Sequence, residues 1–193
     1  MSDPIRVVIA EDEAIIRLDL RETLEEEGYE VVAETGRGDD AIELVRETKP
    51  DLAILDIKMP GVDGLSAAKV IADERLAAVL VLTAFSQQDL VEQARDAGAL
   101  AYLVKPFQTS DLVPAIEMAL GRYAEIVSLE RENANLTERL EARKLIDRAK
   151  GRLMDDHGLS ESASFRFLQK TAMDGRRKIH EVAADVIAGS LAP

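Results

Sequence analysis

The chain has 193 residues, 47% of them hydrophobic, which leaves room for one large domain or two small ones with real cores. It contains no cysteine, so disulfides and thiolate metal sites are excluded. The net charge of −13 is unevenly spread: residues 1–140 carry 14 Lys/Arg against 29 Asp/Glu, whereas residues 141–180 carry 10 against 6. An acidic body and a basic tail point to two parts with different partners, and screening over ~8 Å lets the tail bind nucleic acid locally. Residues 1–4 lead straight into a strand pattern without the features of a signal peptide. No apolar run approaches the ~18 residues of a membrane span, so a soluble, cytoplasmic protein with no membrane partner is expected.

Residues 1–121 alternate strand and helix patterns. Ile5–Ala10 reads as a strand, followed by a helix over Glu13–Glu27 with Ile16, Leu20 and Leu24 on one face and Gly28 at its end. Tyr29–Ala33 is a second strand, and Asp39–Thr48 a helix with Ile42 and Val45 inward. Leu52–Leu55 is a third strand; Pro60, Gly61 and Gly64 then mark a loop before a helix over Leu65–Asp73, with Ala68, Ile71 and Ala72 inward. Ala78–Leu82 is a fourth strand, Gln87–Ala97 a helix with Leu90, Val91 and Ala94 inward, and Ala101–Val104 a fifth strand. Ser110 is placed to cap the next helix, with Pro114 in its first turn. Five strand–helix repeats predict an α/β fold with a parallel sheet covered on both faces. The flavodoxin-like strand order 2-1-3-4-5 is expected, with the first and third strands at the switch point.

From Ser110 to about Met154 only Gly121 interrupts a continuous helical pattern. Ile126, Leu129, Asn133, Leu136 and Leu140 alternate steps of three and four, an a/d pattern with Asn133 at an a position, where a buried Asn sets dimer register. The stretch covers barely two heptads, so a homodimer through it and a helix packed on its own domain both remain open. Three amphipathic helices follow: Ala142–Met154, one capped by Ser160, and Arg177–Ala188, with Gly158 and Asp174-Gly175 at the turns. They predict a small three-helix bundle. His157 reads as a loop residue and His180 as a helix-surface residue, since neither has the partner set of a zinc site.

In an open parallel sheet the carboxyl ends of the strands share one edge, where ligands bind. Glu11-Asp12-Glu13, Asp56, Thr83 and Lys105-Pro106 follow four of the predicted strands, so they meet on that rim. Three crowded carboxylates cannot all ionise cheaply, and a hard divalent cation with oxygen ligands, Mg²⁺, resolves the conflict. Asp56 is placed to attack phosphorus and become an aspartyl phosphate. Thr83 can donate to a phosphoryl oxygen; Lys105 can do the same, or pair with Asp56 when no phosphoryl group is bound.

The set Glu11-Asp12, Asp56, Thr83-Ala84 and Lys105-Pro106-Phe107 resembles the receiver domain of two-component response regulators over residues 5–120. The resemblance implies that Asp56 accepts a phosphoryl group from a phosphohistidine on a sensor histidine kinase. It implies that Glu11, Asp12, Asp56 and the Lys58 backbone carbonyl hold Mg²⁺. It also implies that Thr83 and Tyr102 are a switch pair, Thr83 moving toward the phosphoryl group and Tyr102 turning inward behind it, and that the Lys105–Pro106 peptide is cis. Glu11 departs from the Asp common at the first acidic position; its longer side chain implies a contact with the metal through water.

The tail is similar to the ANTAR domain, an RNA-binding transcription-antitermination module. The run from Arg143 to Met154, with its Ala-Lys-Gly-x-Leu-Met core, carries the match, followed by Leu159-Ser160, Phe165, Leu168, Ala172-Met173, Lys178 and Glu181-Val182-Ala183. Ser164 stands where relatives usually have Ala and Arg152 where they have an aliphatic residue. The likeness implies binding to RNA stem-loops in leader transcripts. Phosphate contacts are expected from Arg143, Lys144, Arg148, Lys150 and Arg152 on the first helix and from Arg176, Arg177 and Lys178 opening the third. Phe165 and Phe167 are read as core residues rather than base-stacking platforms, because both lie in a helix that must bury an apolar face.

The expected organisation is a phospho-receiver domain at 1–121, a coiled-coil-like helical linker at 122–140, and an ANTAR domain at 141–193. The chain is expected to be a phosphorelay regulator, not an enzyme beyond its own phosphoryl transfer and dephosphorylation. A signalling adaptor, or a regulator whose tail binds DNA or protein, is the alternative.

Overall fold

The structure, a computed structural model, describes residues 3–84 and 88–193, with the side chains of residues 88–91 excepted. Five strands and seven helices follow one another as β1 (Arg6–Ala10), α1 (Ala14–Glu26), β2 (Glu30–Thr35), α2 (Gly38–Thr48), β3 (Leu52–Asp56), α3 (Gly64–Asp73), β4 (Ala78–Thr83), α4 (Gln88–Asp96), β5 (Ala101–Val104), α5 (Thr109–His157), α6 (Glu161–Asp174) and α7 (Ile179–Ala188). The strands form one all-parallel sheet in the order β2-β1-β3-β4-β5, the expected flavodoxin-like topology. The expected inward positions of Leu90 and Val91 lie outside the described residues.

The two faces of the sheet bury alternate residues of each strand, as the period of two requires. Val7, Ile9, Leu52, Ile54, Leu80 and Leu82 pack with Leu20 and Leu24 of α1 and with Leu112, Ile116 and Ala119 of α5. Val8, Ala10, Ala53, Leu55, Val79 and Val81 pack with Ala41 and Val45 of α2, Ala67, Ala68 and Ile71 of α3, and Ala94 of α4. Every residue of β3 and β4 is buried, which explains why these strands read as unbroken apolar runs rather than alternating ones. Gly28 and Gly98 end α1 and α4 with φ of +88° and +84°, where a side chain would be strained.

Helix α5 begins differently from the sequence reading. Ser110 lies inside the helix and does not cap it. Asp111 instead accepts a hydrogen bond from the Gln108 backbone N–H at 3.1 Å, a carboxylate reaching back over the first turn. Pro114 consequently sits two residues deeper in the helix than expected.

The chain divides into two compact units, Met1–Val127 and Ser128–Pro193, with α5 running through the boundary. Leu129, Leu136 and Leu140 are each just over half exposed, and Asn133 is exposed. In the second unit the end of α5 packs with α6 and α7 around Ala149, Leu153, Leu168, Ala172, Val182, Ala183 and Val186. The expected first helix of the bundle is therefore the last part of α5, and His157 is its final residue rather than a loop residue. The third helix starts at Ile179, because Lys178 is its extended N-cap. Ser160 caps α6 by accepting from the Ala163 N–H. Ser164 is fully buried, but its hydroxyl donates to the Ser160 carbonyl at 3.0 Å, so the substitution for Ala leaves no unpaired polar group.

Candidate functional site

The carboxyl edge of the sheet gathers the residues that chain order scatters. Glu11 follows β1, Asp56 ends β3, Thr83 ends β4 and Lys105 follows β5. Asp56, Thr83 and Lys105 line a cleft of about 250 Å³ together with Asp12, Glu13, Ile57, Lys58 and Ala84, and Glu11 is buried behind it. Glu11 is 0% exposed, Asp56 6% and Thr83 3%, whereas Asp12 is exposed at the mouth.

Lys105 organises this cleft. Its Nζ lies 2.5 Å from Glu11 Oε2 and 2.7 Å from Asp56 Oδ1. The Lys105–Pro106 peptide is cis. The second Asp56 oxygen, Oδ2, accepts from the Lys58 N–H at 2.9 Å, and Glu11 Oε1 accepts from the Glu13 N–H at 3.3 Å. Burial raises the pKa of Glu11 against the opposing pull of its bond to Lys105, and the nearby Asp56 charge raises it further. Burial opposes the Lys105 ammonium, but its hydrogen bonds to Asp56 and Glu11 prevail and its pKa is raised.

Carboxylate oxygens of Glu11, Asp12 and Asp56 all lie within 4.8 Å of one another. Three oxygen donors so close, one at the solvent edge, suit a hard divalent cation that keeps some of its waters. The residues therefore fit Mg²⁺.

Two neighbours of the cleft escape sequence reading. Arg17 of α1 donates from Nη1 to the Glu11 carbonyl at 2.5 Å, while its Nε lies 3.9 Å from Glu34 of β2. Nothing in the pattern of α1 distinguishes Arg17 from an ordinary surface cation. Gly64, read only as a breaker, packs so tightly that a β-carbon there would run into the Asp56 carbonyl oxygen. Its N–H donates to the Ile57 carbonyl at 2.9 Å. Tyr102 pairs in register with Val81, two residues before Thr83, and its side chain is 47% exposed. Thr83 and Tyr102 thus occupy buried and outward positions respectively.

In the second unit most of the expected phosphate-binding cations are engaged within the protein. Lys150 bonds Asp147 and Glu161 at 2.8 and 2.9 Å, tying α5 to α6. Arg152 bonds Asp156 at 3.1 Å and donates to the Ile187 carbonyl near the end of α7. Arg177 bonds Asp185 at 2.7 Å, Lys144 bonds Glu141 at 2.7 Å, and Lys178 lies 3.7 Å from Glu138. Arg143 is well exposed with a loose contact to Asp147 at 4.0 Å. Arg148 and Arg176 have no carboxylate partner among the described residues. Phe167 packs against the bundle core as expected, but Phe165 does not: it is 43% exposed on the outer side of α6.

Residues 7–117 match the family model of the response regulator receiver domain, and residues 134–187 match that of the ANTAR domain. The chain belongs to the response regulator family. It is 59% identical over 184 residues to the transcriptional regulatory protein PdtaR of Mycobacterium tuberculosis, covering 95% of this chain and 90% of that one. The chemotaxis protein CheY of Bacillus subtilis is 39% identical over 117 residues, 60% of this chain and 98% of its own length. A solved two-component response regulator of the LuxR family from Aurantimonas superposes with a TM-score of 0.58 at 31% identity, over 67% of this chain and 99% of that one. The response regulator thus couples a receiver domain to an RNA-binding ANTAR output domain. No helix among its described residues is long and apolar enough to cross a membrane.

Proposed function

We propose that this response regulator takes a phosphoryl group onto Asp56 from the phosphohistidine of a sensor kinase, and that the modified receiver controls antitermination by the RNA-binding domain. The observation that carries the reading is the cleft itself, where Glu11, Asp12 and Asp56 converge and Lys105 already grips Asp56.

A carboxylate oxygen of Asp56 attacks phosphorus as the bond to the kinase imidazole nitrogen breaks and its electron pair returns to the ring. Lys105 then shifts its hydrogen bond from the Asp56 carboxylate to a phosphoryl oxygen, an exchange of one charge-assisted bond for another. The Thr83 hydroxyl, buried at the end of β4, donates to a second phosphoryl oxygen and moves toward it, and Tyr102 follows inward. Glu11, Asp12, Asp56 and the Lys58 carbonyl would hold Mg²⁺. The metal would supply positive charge to the transferring group. Hydrolysis of the aspartyl phosphate in the same cleft resets the switch.

The receiver occupies residues 1–121 in this reading, the linker 122–140 and the output domain 141–193. The exposed seam of Leu129, Asn133, Leu136 and Leu140 joins two copies when Asp56 is phosphorylated. A dimer presents two RNA-binding domains to two stem-loops of one leader transcript, which raises the effective concentration of the second contact. The bound RNA is then held in a form that prevents a terminator from forming.

The test is RNA stem-loop binding by the full chain with Mg²⁺, before and after acetyl phosphate, with Asp56→Asn as comparison and duplex DNA as a second ligand. Tighter stem-loop binding after phosphorylation of the wild type alone is expected. Equal affinity in all arms removes the switch, and a preference for duplex DNA removes the RNA output.

A further inference from the structure

We propose that the outer face of α6 is the surface that receives an unpaired RNA base, with Phe165 as its stacking platform and Arg166 and Lys170 as the flanking phosphate contacts. The inference rests on the RNA-binding reading above and deepens it, because it adds a base contact on a helix other than those expected to hold the phosphates.

The first support is geometric. Phe165, Gln169 and Met173 stand at i, i+4 and i+8, and Arg166 and Lys170 form the adjacent row. Ser164, Leu168 and Ala172 take the buried side of the same helix. Phe165 is 43% exposed and Met173 72%, although Phe167, two residues away, is half-buried against the core. Arg166, Gln169, Lys170, Met173 and Asp174 enclose a shallow depression of about 320 Å³.

The second support is electrostatic. Arg166 and Lys170 have no carboxylate partner among the described residues; the Arg166 Nε donates only to the Ser162 carbonyl, at 3.3 Å. Lys150 and Arg152 of α5 are instead committed to Asp147, Glu161 and Asp156. A phosphate that uses Lys150 or Arg152 must break those bonds, whereas one approaching Arg166 and Lys170 breaks none with an acid. Residues 158–180 carry five Lys/Arg against two Asp/Glu in a chain of net charge −13. This is the local positive charge a polyanion requires.

The chemistry favours an unstacked base over a protein segment. A protein helix or strand needs a broad contiguous apolar patch, on the order of several hundred Å². Here two apolar side chains are separated by Gln169 and bordered by cations. A flat base needs only one aromatic face with a cation beside it for the adjoining phosphate. Gln169 and Asp174 add hydrogen-bonding groups suited to a base edge, the carboxylate accepting from an exocyclic amine.

The test uses the full chain with Mg²⁺ and acetyl phosphate, and as probe a pool of RNA hairpins with a constant stem and a randomised loop. The chain has no tryptophan, so Phe165→Trp introduces a single indole, selectively excited apart from the three tyrosines, at the proposed platform. Its emission should be quenched on hairpin binding, and a duplex RNA of the same stem without a loop should leave it unchanged. Phe165→Ala should bind the hairpin pool roughly ten-fold more weakly, the scale of one lost base stack, with an unchanged thermal transition because the ring is half exposed. The double variant Arg166→Gln, Lys170→Gln should reduce the log–log salt slope by roughly 1.4 to 1.8. If the wild type binds hairpins but Phe165→Ala binds equally well and Phe165→Trp is not quenched, the inference is overturned and the RNA-binding reading stands; a protein partner on this face would give that result. If the wild type retains no hairpin, the RNA-binding reading fails and this inference falls with it.

Discussion

Lys105 and Glu11 stand 94 positions apart in the chain, yet their side chains meet at 2.5 Å beneath the rim of the sheet. Glu11 is wholly buried, so the ammonium of Lys105 both neutralises it and holds Asp56. Lys105→Met should therefore have two opposed effects. Without Mg²⁺ the variant should lose about 3 kcal/mol, because a buried carboxylate is left without its cation. With Mg²⁺ it should regain much of that, since binding to the folded state alone adds about 2.7 kcal/mol at a hundred-fold excess over Kd. Thermal unfolding with and without Mg²⁺ checks both; a variant as stable as the wild type in the absence of metal would contradict the pairing.

Gly64 begins α3 directly against the Asp56 carbonyl. Gly64→Ala should force the β3–α3 loop away from Asp56 and destabilise the receiver by about 1–3 kcal/mol, the usual cost of overpacking. Phosphorylation of Asp56 by acetyl phosphate, followed on a phosphate-affinity gel, should slow at the same time. Gly121, which has open space around it, provides the control: Gly121→Ala should be neutral or slightly stabilising in its helix.

Asp63 caps α3 by accepting from the Ser66 N–H at 2.9 Å and from the Ser66 hydroxyl at 2.8 Å. The backbone bond lowers its pKa, burial opposes the shift, and the hydroxyl bond supports it. A lowered carboxylate pKa stabilises the fold fully above the unfolded value of 3.8, and the contribution is lost as pH falls through the folded value. Asp63→Ala should cost about 1 kcal/mol at neutral pH. The gap between variant and wild type in urea unfolding should close as pH drops below 3.8.

Leu136 lies in the middle of the exposed a/d stretch of α5. Leu136→Asp should leave the monomer folded, because the side chain is already more than half exposed. It should abolish any dimer formed on addition of acetyl phosphate, as sedimentation velocity would show. Dimerisation that survives the substitution would place the interface elsewhere.

Lys150 and Arg152 were expected on the RNA surface, and their intramolecular bonds give them a second duty. Arg152→Ala removes a donor from the Ile187 carbonyl near the C-terminal end of α7. The expected loss is about 1 kcal/mol in the stability of the second unit, with hairpin affinity at fixed salt reduced less than by Arg166→Gln. A Phe167→Ala control, which strips a half-buried ring from the edge of the bundle core, should lose about 2 kcal/mol.

The order of strands and helices, the rim position of Asp56, Thr83 and Lys105, and the parallel sheet were legible in the residues alone. Strand–helix repeats recur five times, four of the apolar runs end in chemistry-bearing residues, and the handedness of crossovers leaves few ways to assemble them. Gly28, Gly98 and Gly158 marked helix ends for a local reason, since their positive φ is a property of one residue. What chain order could not reveal were contacts made across elements. Arg17 reaching the Glu11 carbonyl, Gly64 pressed on Asp56, and Arg152 closing the end of α7 all depend on how packed surfaces meet. The outward turn of Phe165 belongs with them: periodicity says that α6 buries a face, but only the packing of α5 and α7 against it decides that Phe167 lies inside and Phe165 outside.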